Sequence, residues 1–209
     1  MKKCLLVLIT LVVLSVGSAS AQAVWGVRIG LSRPTVSTSG GDEGSAKIDG
    51  KFGLELGPVL YYNLKNNFYI NSGLMFSIKT FSDKYDDGEY SYSDNLNMYY
   101  LHIPVYVGYQ IPIGKVSTYL QAGPYFGYML SASENYSDSE NGSADGSPKD
   151  YLNSFDAGLG VMYGINIDRF KIEVGYQYGL TNLLKNSGDY AGSGTANLSS
   201  LFLGVSYVF

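Results

Sequence analysis

The sequence predicts an all-β protein, an eight-stranded antiparallel up-and-down transmembrane β-barrel. Three observations lead to this fold class. Eight segments alternate apolar residues with glycine, polar or charged residues, which is the period of two that strands show. Glycine and tyrosine are abundant, at 26 and 20 of 209 residues, and charged residues make up 15%, against about 25% in soluble domains. The connections between the segments alternate strictly between short and long.

The N-terminus has the pattern of a secretory signal peptide. Two lysines precede an apolar run over residues 4–16, and small residues follow up to Ala21. We therefore predict a signal peptide at 1–21, with Ala23 as the second choice of cleavage site, and a barrel domain at 22–209. A retained anchor is the alternative, but the apolar run is shorter than the roughly 20 residues that a spanning helix needs.

Each strand is predicted from its own alternation. The outward apolar residues, taken at every second position, run from Trp25 to Leu31, Phe52 to Tyr62, Phe68 to Ile78, Tyr99 to Ile111, Leu120 to Leu130, Phe155 to Ile165, Phe170 to Leu180 and Leu201 to Phe209. A β-sandwich also alternates, but its water-facing side rarely carries so much glycine and tyrosine. In a transmembrane barrel the apolar face contacts lipid and the other face fills a narrow lumen.

The connection lengths predict the topology. The short connections are 63–67, 112–115 and 166–169, and the long ones are 35–51, 82–97, 131–153 and 185–196. Outer-membrane barrels have short turns at the periplasm and long loops outside the cell. From Tyr99 to Tyr109 a strand tilted by about 40 to 45° rises about 25 Å, which is the height of the apolar band.

The last strand ends on a bare aromatic residue. Val205, Tyr207 and Phe209 occupy every second position up to the C-terminus. This arrangement resembles the C-terminal insertion signal of bacterial outer-membrane barrels. It predicts recognition by the barrel-assembly machinery during insertion, and an outer-membrane lipid environment afterwards.

The inward faces carry a set of charged residues. They are Arg28, Glu55, Lys79, His102, Asp156, Lys171 and Glu173. Their positive and negative charges balance, and unpaired charges in a narrow lumen would be costly, so the favoured interpretation is a structural network that plugs the barrel. A gated polar path is one alternative. A hydrolytic or acyl-transfer site built on His102 with Asp156 or a serine is another.

The composition excludes several classes of function. Without the two lysines of the signal, 12 basic residues stand against 18 acidic ones, and no basic cluster is present, so nucleic-acid binding is not expected. The single histidine excludes any site that needs two. We expect no catalytic residue, no cofactor and no metal site.

The connections 82–97 and 131–153 are acidic and rich in tyrosine, serine and asparagine. We expect solvated loops there, and they are the candidate surface for an extracellular ligand. A calcium loop over 138–142 is disfavoured because its ligand spacing and closing glutamate are missing. The sequence thus predicts a monomeric, non-enzymatic barrel with a structural or surface-interaction role. The alternative is a narrow channel or hydrophobic-ligand transporter.

Five segments resemble the PorT-like outer-membrane β-barrel family of Bacteroidetes. They are Gly26-Val-Arg-Ile-Gly-Leu31, Tyr100-Leu-His-Ile-Pro-Val105, Ala122-Gly-Pro-Tyr125, Phe155-Asp-Ala-Gly-Leu-Gly160 and Tyr178-Gly-Leu-Thr-Asn-Leu183. The resemblance covers essentially the whole mature chain and implies an outer-membrane location. For some members of the family it also implies a link to a protein-secretion apparatus, which would be an accessory role here.

Overall fold

A computed structural model gives the fold of the chain and describes residues 23–39, 45–86, 91–138, 142–185 and 195–209. The signal peptide predicted at 1–21 lies outside the described residues. The strands are β1 (Ala23–Ser39), β2 (Ala46–Asp49), β3 (Gly53–Asn63), β4 (Phe68–Gly73), β5 (Met75–Asp86), β6 (Ser91–Ile113), β7 (Val116–Asp138), β8 (Gly142–Gly146), β9 (Phe155–Ile167), β10 (Phe170–Asn182) and β11 (Thr195–Val208). One turn of 3-10 helix, Pro148–Asp150, follows β8. Within these ranges no helix is long and apolar enough to cross a bilayer.

The wall strands close into an antiparallel ring. In order around the ring they are β1, β3, one divided strand made of β4 and β5, and then β6, β7, β9, β10 and β11, which makes eight. β1 pairs with β3 on one edge and with β11 on the other, so the first and last wall strands meet. β2 and β8 pair only with the ends of β1 and β7. The predicted eight-stranded up-and-down barrel is therefore confirmed.

Two prolines explain why one wall strand is divided into β4 and β5. The strand is interrupted at Leu74. The register places Pro58 on β3 opposite Leu74, and Pro104 on β6 opposite the preceding residue, Gly73. Proline has no backbone N–H to donate to a ladder. The Leu74 N–H still donates to the Pro58 carbonyl oxygen at 3.1 Å, so the register continues from β4 into β5 without an inserted residue.

Tight turns join the strands at one end of the barrel. Residues 114–115 connect β6 to β7, and residues 168–169 connect β9 to β10. Gly114 and Asp168 adopt positive φ angles of 62° and 53° in these turns, and Asn66 and Asn67 do so between β3 and β4, at 59° and 64°. Glycine, asparagine and aspartate tolerate this conformation better than other residues. The predicted short connections are thus present, and this end corresponds to the periplasmic end of outer-membrane barrels.

The outer surface of the ring is an apolar band bordered by aromatic residues. The side chains at every second wall position, such as Leu31 at 48% and Leu203 at 56%, are exposed. Phe68 packs against Tyr109 at the turn end with 4.9 Å between ring centroids, and Phe76 stacks on Tyr99 toward the other end at 6.3 Å. Aromatic girdles at both edges of an apolar band are typical of barrels that sit in lipid.

Opposite the turns, several strands continue beyond the apolar band. β6 and β7 are 23 residues long each, about twice the 9 to 11 residues that cross a membrane. A register shift between Tyr99 and Tyr100 marks the start of their outer part. We call the outer parts of β5, β6 and β7, together with β8, the extension.

The extension corrects the sequence prediction for the long connections. The segments 35–51, 82–97 and 131–153 were expected to be loops, but β1 reaches Ser39, β5 reaches Asp86, β6 begins at Ser91 and β7 reaches Asp138. In these segments each residue of one strand is paired with a residue of the next, up to the ends of β5, β6 and β7. Both faces of these strands carry polar residues, so the hydropathy pattern does not reveal them.

The orientation can be tested by labelling. We expect Asn135→Cys, in the extension, to react on intact cells with a membrane-impermeant maleimide, and Asp168→Cys, in the β9–β10 turn, to react only after the outer membrane is permeabilised. Both variants are made with Cys4→Ser, so that the introduced thiol is the only one. Labelling of the turn variant on intact cells would contradict the orientation.

Candidate functional site

Large aromatic rings and small residues share the interior of the barrel. Among the residues that the structure describes, six tyrosines are at most 3% exposed: Tyr61, Tyr69, Tyr100, Tyr106, Tyr119 and Tyr125. Glycines face these rings, and a Cβ atom at Gly108 would collide with the Tyr69 ring, as one at Gly160 would with Tyr106. The glycine-rich inward face therefore has a packing reason: neighbouring rings occupy the space that side chains would need.

The lower half of the lumen, toward the turns, contains a buried ion pair. Arg28 Nε on β1 lies 2.6 Å from Glu173 Oε1 on β10, and the two side chains are 1% and 0% exposed. Arg28 also donates to Ser206 Oγ at 3.4 Å and to the Tyr61 hydroxyl at 3.5 Å. An ion pair removed from water is tolerated only when such additional hydrogen bonds satisfy it.

The second oxygen of Glu173 continues the network across the barrel. The Tyr119 hydroxyl donates to Glu173 Oε2 at 2.7 Å, and Gln121 Nε2 lies 3.5 Å from the same oxygen. The Tyr69 hydroxyl in turn donates to Gln121 Oε1 at 3.2 Å. Hydrogen bonds thus run from β10 through β7 to β4, and β10 and β4 lie on opposite sides of the lumen. Gln121 is not among the site residues predicted from the sequence, although the alternation places it on the inward face.

Lys171 is enclosed by aromatic rings. Its Nζ lies 4.4 Å from the Tyr61 ring centroid and 4.8 Å from that of Tyr119, and it donates to Asn166 Oδ1 at 2.8 Å. A ring face attracts a cation electrostatically. Lys171 is therefore held by rings and an amide, and among the described residues it forms no ion pair with a carboxylate.

The upper half of the lumen holds the other predicted residues in separate contacts. Lys79 Nζ donates to Ser200 Oγ at 3.0 Å. Asp156 Oδ1 accepts from the Thr181 hydroxyl at 2.8 Å. Glu55, only 4% exposed, is close enough to Arg28 and Lys79 to interact electrostatically with both, and so connects the two halves.

His102 lies between two aromatic rings. The ring centroids of Tyr100 and Tyr125 are 5.4 Å and 5.8 Å from that of His102. Neither ring nitrogen of His102 has a hydrogen-bond partner among the described residues. A catalytic histidine must reach the group whose proton it takes. Neither Asp156 nor a serine among the described residues is hydrogen-bonded to His102.

An apolar cluster lies in the lumen above these charges. We call it the plug; its members are Val36, Phe81, Met98, Tyr100, Met129, Ala132, Leu152, Ala196 and Leu198. The sequence does not predict this cluster, because Val36 and Leu152 lie in segments with the pattern of loops. The available signal was weak: Phe81, Leu96 and Met98 are isolated apolar residues among polar ones.

The C-terminal residues face outward at the turn end. The Tyr207 ring contacts those of Phe170 and Phe209, with centroids 5.3 Å and 5.6 Å apart, and Arg169 Nη1 donates to the Tyr207 hydroxyl at 3.3 Å. Val205 lies one step further up the same face. This outward aromatic group is accessible to lipid or to another protein, and its role as an insertion signal stays a prediction.

The described part of the extension is ordered around tyrosine and acidic side chains. Tyr92 stacks on Tyr136 with 6.4 Å between centroids, and the Tyr92 hydroxyl donates to Asp83 Oδ2 at 3.0 Å. Among the described residues, no group of three potential metal ligands from histidine, cysteine, aspartate and glutamate is found. Within the segments 82–97 and 131–153, the described residues 82–86, 91–97, 131–138 and 142–146 form paired strands, and the role of these segments as a ligand surface stays a prediction.

Comparisons with known proteins agree with this architecture. The sequence matches the family described as "Outer membrane protein beta-barrel domain" over residues 18–185. The search of curated proteins finds no match. The structure is similar to Ail, the attachment invasion locus protein of Yersinia pestis, at 17% identity over 90% of this chain and 99% of that chain, with a TM-score of 0.44.

Two further solved structures are similar. Neisserial surface protein A is 16% identical over 88% of this chain and 97% of that chain, with a TM-score of 0.42. A major outer membrane protein from Thermus thermophilus is 14% identical over 87% of this chain and 99% of that chain, with a TM-score of 0.39.

The buried ion pair gives a stability prediction. Glu173→Gln leaves the Arg28 charge buried without its counter-ion, so we expect the free energy of unfolding to fall by about 3 to 5 kcal/mol. The double variant Arg28→Met/Glu173→Leu removes both charges and should lose less. The measurement is guanidinium unfolding of protein refolded in lipid vesicles. Equal losses for the single and double variants would contradict the role of the pair.

Proposed function

Because the chain belongs to the outer membrane protein beta-barrel domain family and lies in the outer membrane, we propose that it is a non-enzymatic surface protein that binds an extracellular partner through its extension. The barrel acts as a closed, monomeric anchor. The observation that carries the proposal is the continuation of β6 and β7 well beyond the apolar band as a paired sheet. A barrel that only had to span the membrane would not need this length of strand.

The surface of the extension supports recognition. Its outward positions on β6 and β7 carry small polar residues, namely Ser93, Asn95, Asn97, Ser131, Ser133 and Asn135. Near its end, on the opposite and inward face of the sheet, the stacked Tyr92 and Tyr136 supply large rings that are held in place by each other. Tyrosine gives contact area at low entropic cost, and serine and asparagine give adaptable hydrogen bonds.

The interior supports a closed anchor rather than a conduit. The ion pair of Arg28 and Glu173, the caged Lys171 and the plug lie in succession along the lumen. Side chains fill most of the interior of an eight-stranded barrel. A narrow channel, a hydrophobic-ligand transporter and an accessory role in protein secretion, the last implied by the PorT-like resemblance, stay predictions.

Binding by the extension can be tested with purified protein in lipid nanodiscs on an array of extracellular proteins and glycans. We expect Tyr92→Ser/Tyr136→Ser to weaken binding to any captured partner by about 2 kcal/mol or more, roughly thirtyfold, because buried tyrosines dominate such interfaces. The control is Tyr109→Ser/Tyr163→Ser, on the lipid-facing surface, which should bind normally.

Folding of every variant is verified by heat-modifiable mobility in gels. A partner whose affinity is unchanged by loss of the two stacked tyrosines would contradict their role. An array on which the folded natural sequence captures nothing would count against surface interaction as the function.

The filled lumen predicts that the protein does not conduct ions. We expect no steady conductance steps from the folded protein in a planar bilayer, because charged, aromatic and apolar side chains block the interior in succession. The variant Lys79→Gln/Lys171→Gln should be equally silent, since it removes charges but not the plug. Steady steps that change with this variant would favour a channel instead.

A further inference from the structure

A cavity opens at the extracellular mouth of the barrel, above the plug. Its volume is about 640 Å³, within the range of roughly 300 to 1,000 Å³ that small-molecule sites occupy. Its apolar wall includes Phe81, Leu96, Met98, Leu152 and Leu183. Phe81, Met98 and Leu152 belong to the plug, and Leu96 and Leu183 pack against it, so the floor of the cavity is a fixed apolar surface.

The rim of the cavity is acidic. Among the described residues, Asp49, Asp83, Asp94 and Glu134 line it, and one lysine, Lys47, lies with them. Asp49 already has partners, because Arg33 Nη2 lies 3.3 Å from its Oδ2 and the Thr35 hydroxyl donates to its Oδ1 at 2.9 Å. Among the described side chains, none of the other three carboxylates takes part in an ion pair.

Two of these carboxylates lie directly opposite each other. Asp83 on β5 and Asp94 on β6 are paired in register, and like charges at such positions destabilise a sheet. Asp83 accepts from the Tyr92 hydroxyl at 3.0 Å. Asp94 Oδ1, on a residue of the cavity wall, is buried without a hydrogen-bond partner among the described residues. A cation between the two carboxylates would remove the repulsion and supply a donor.

We propose that this cavity binds a small amphipathic organic cation, with the apolar body against the plug and a protonated amine between Asp83 and Asp94. Charge complementarity selects the head group, and the apolar floor selects the body. A metal ion would leave the apolar floor without a role, and an anion would face the carboxylates. The inference goes beyond the proposed function, since a macromolecular partner can bind the extension whether or not the cavity is filled.

The test uses the refolded protein in phosphatidylcholine nanodiscs and three matched fluorescent probes: 2-(2-naphthyl)ethylamine, 2-(2-naphthyl)ethanol and 3-(2-naphthyl)propanoate. Binding is measured by equilibrium dialysis, with empty nanodiscs as the background for partitioning into lipid. We expect the amine to bind about tenfold more tightly than the alcohol, the gain of one charge-assisted hydrogen bond, and the propanoate to bind most weakly.

Variants separate the two parts of the site. Asp83→Asn/Asp94→Asn should erase the preference for the amine and leave binding of the alcohol unchanged, whereas Asp168→Asn, at the opposite end of the barrel, should alter neither. Leu96→Trp should fill the cavity and abolish binding of all three probes. Its control is Leu180→Trp on the lipid-facing surface, where Leu180 is 59% exposed.

Three results would overturn the inference: no probe binding above empty nanodiscs, equal binding of amine and alcohol, or amine binding that survives Leu96→Trp in a folded barrel. Failure of the array experiment would leave these measurements unaffected. If Leu96→Trp abolishes binding of the probes but the variant still captures its partner on the array, the cavity and the partner-binding surface of the extension are separate sites.

Discussion

Closure of the backbone hydrogen-bond ring is the constraint on which the rest of this structure depends. In hydrocarbon an unpaired N–H or C=O group has no water to bond to, so a sheet can cross the membrane only if its first and last strands pair. The pairing of β1 with β11 over the full span meets this requirement. Once the ring is closed, each wall residue must face either lipid or lumen, and the alternating sequence follows directly.

The same constraint fixes the chemistry of the interior. An eight-stranded ring is so narrow that inward side chains from opposite walls touch. Large residues must also lie beside small ones: Gly108 lies under Tyr69 of the neighbouring strand, and Gly160 lies under Tyr106. Charges survive there only with partners at hand, as Arg28 does with Glu173. Tyrosine suits this interior because its ring fills space and its hydroxyl supplies a donor.

Features that follow from the alternation of apolar residues could be predicted from the sequence. Features that depend on which residues pair across strands could not. The segment Tyr99 to Ile111 was identified correctly because lipid demands an apolar residue at every second position. The same strand, β6, extends back to Ser91, but there its outward face carries polar residues, so the apolar alternation that lipid demands does not continue. Alternation likewise marked Lys171 and Glu173 as inward. It could not show that Glu173 pairs with Arg28 while Lys171 is held by rings, since those contacts depend on the stagger of the ring.

The plug decides where a function can act. Below it, polar groups from all sides of the barrel bond to one another, and above it the strands carry acidic and aromatic side chains into water. If the charges of the lumen served transport, an apolar seal between them and the outside would oppose it, because a charge entering such a layer loses its hydration. If the barrel serves as an anchor, the same seal is useful: it fixes the outer ends of β1, β5, β6, β7 and β11 against one another. The surface above the seal is then rigid enough to recognise a partner.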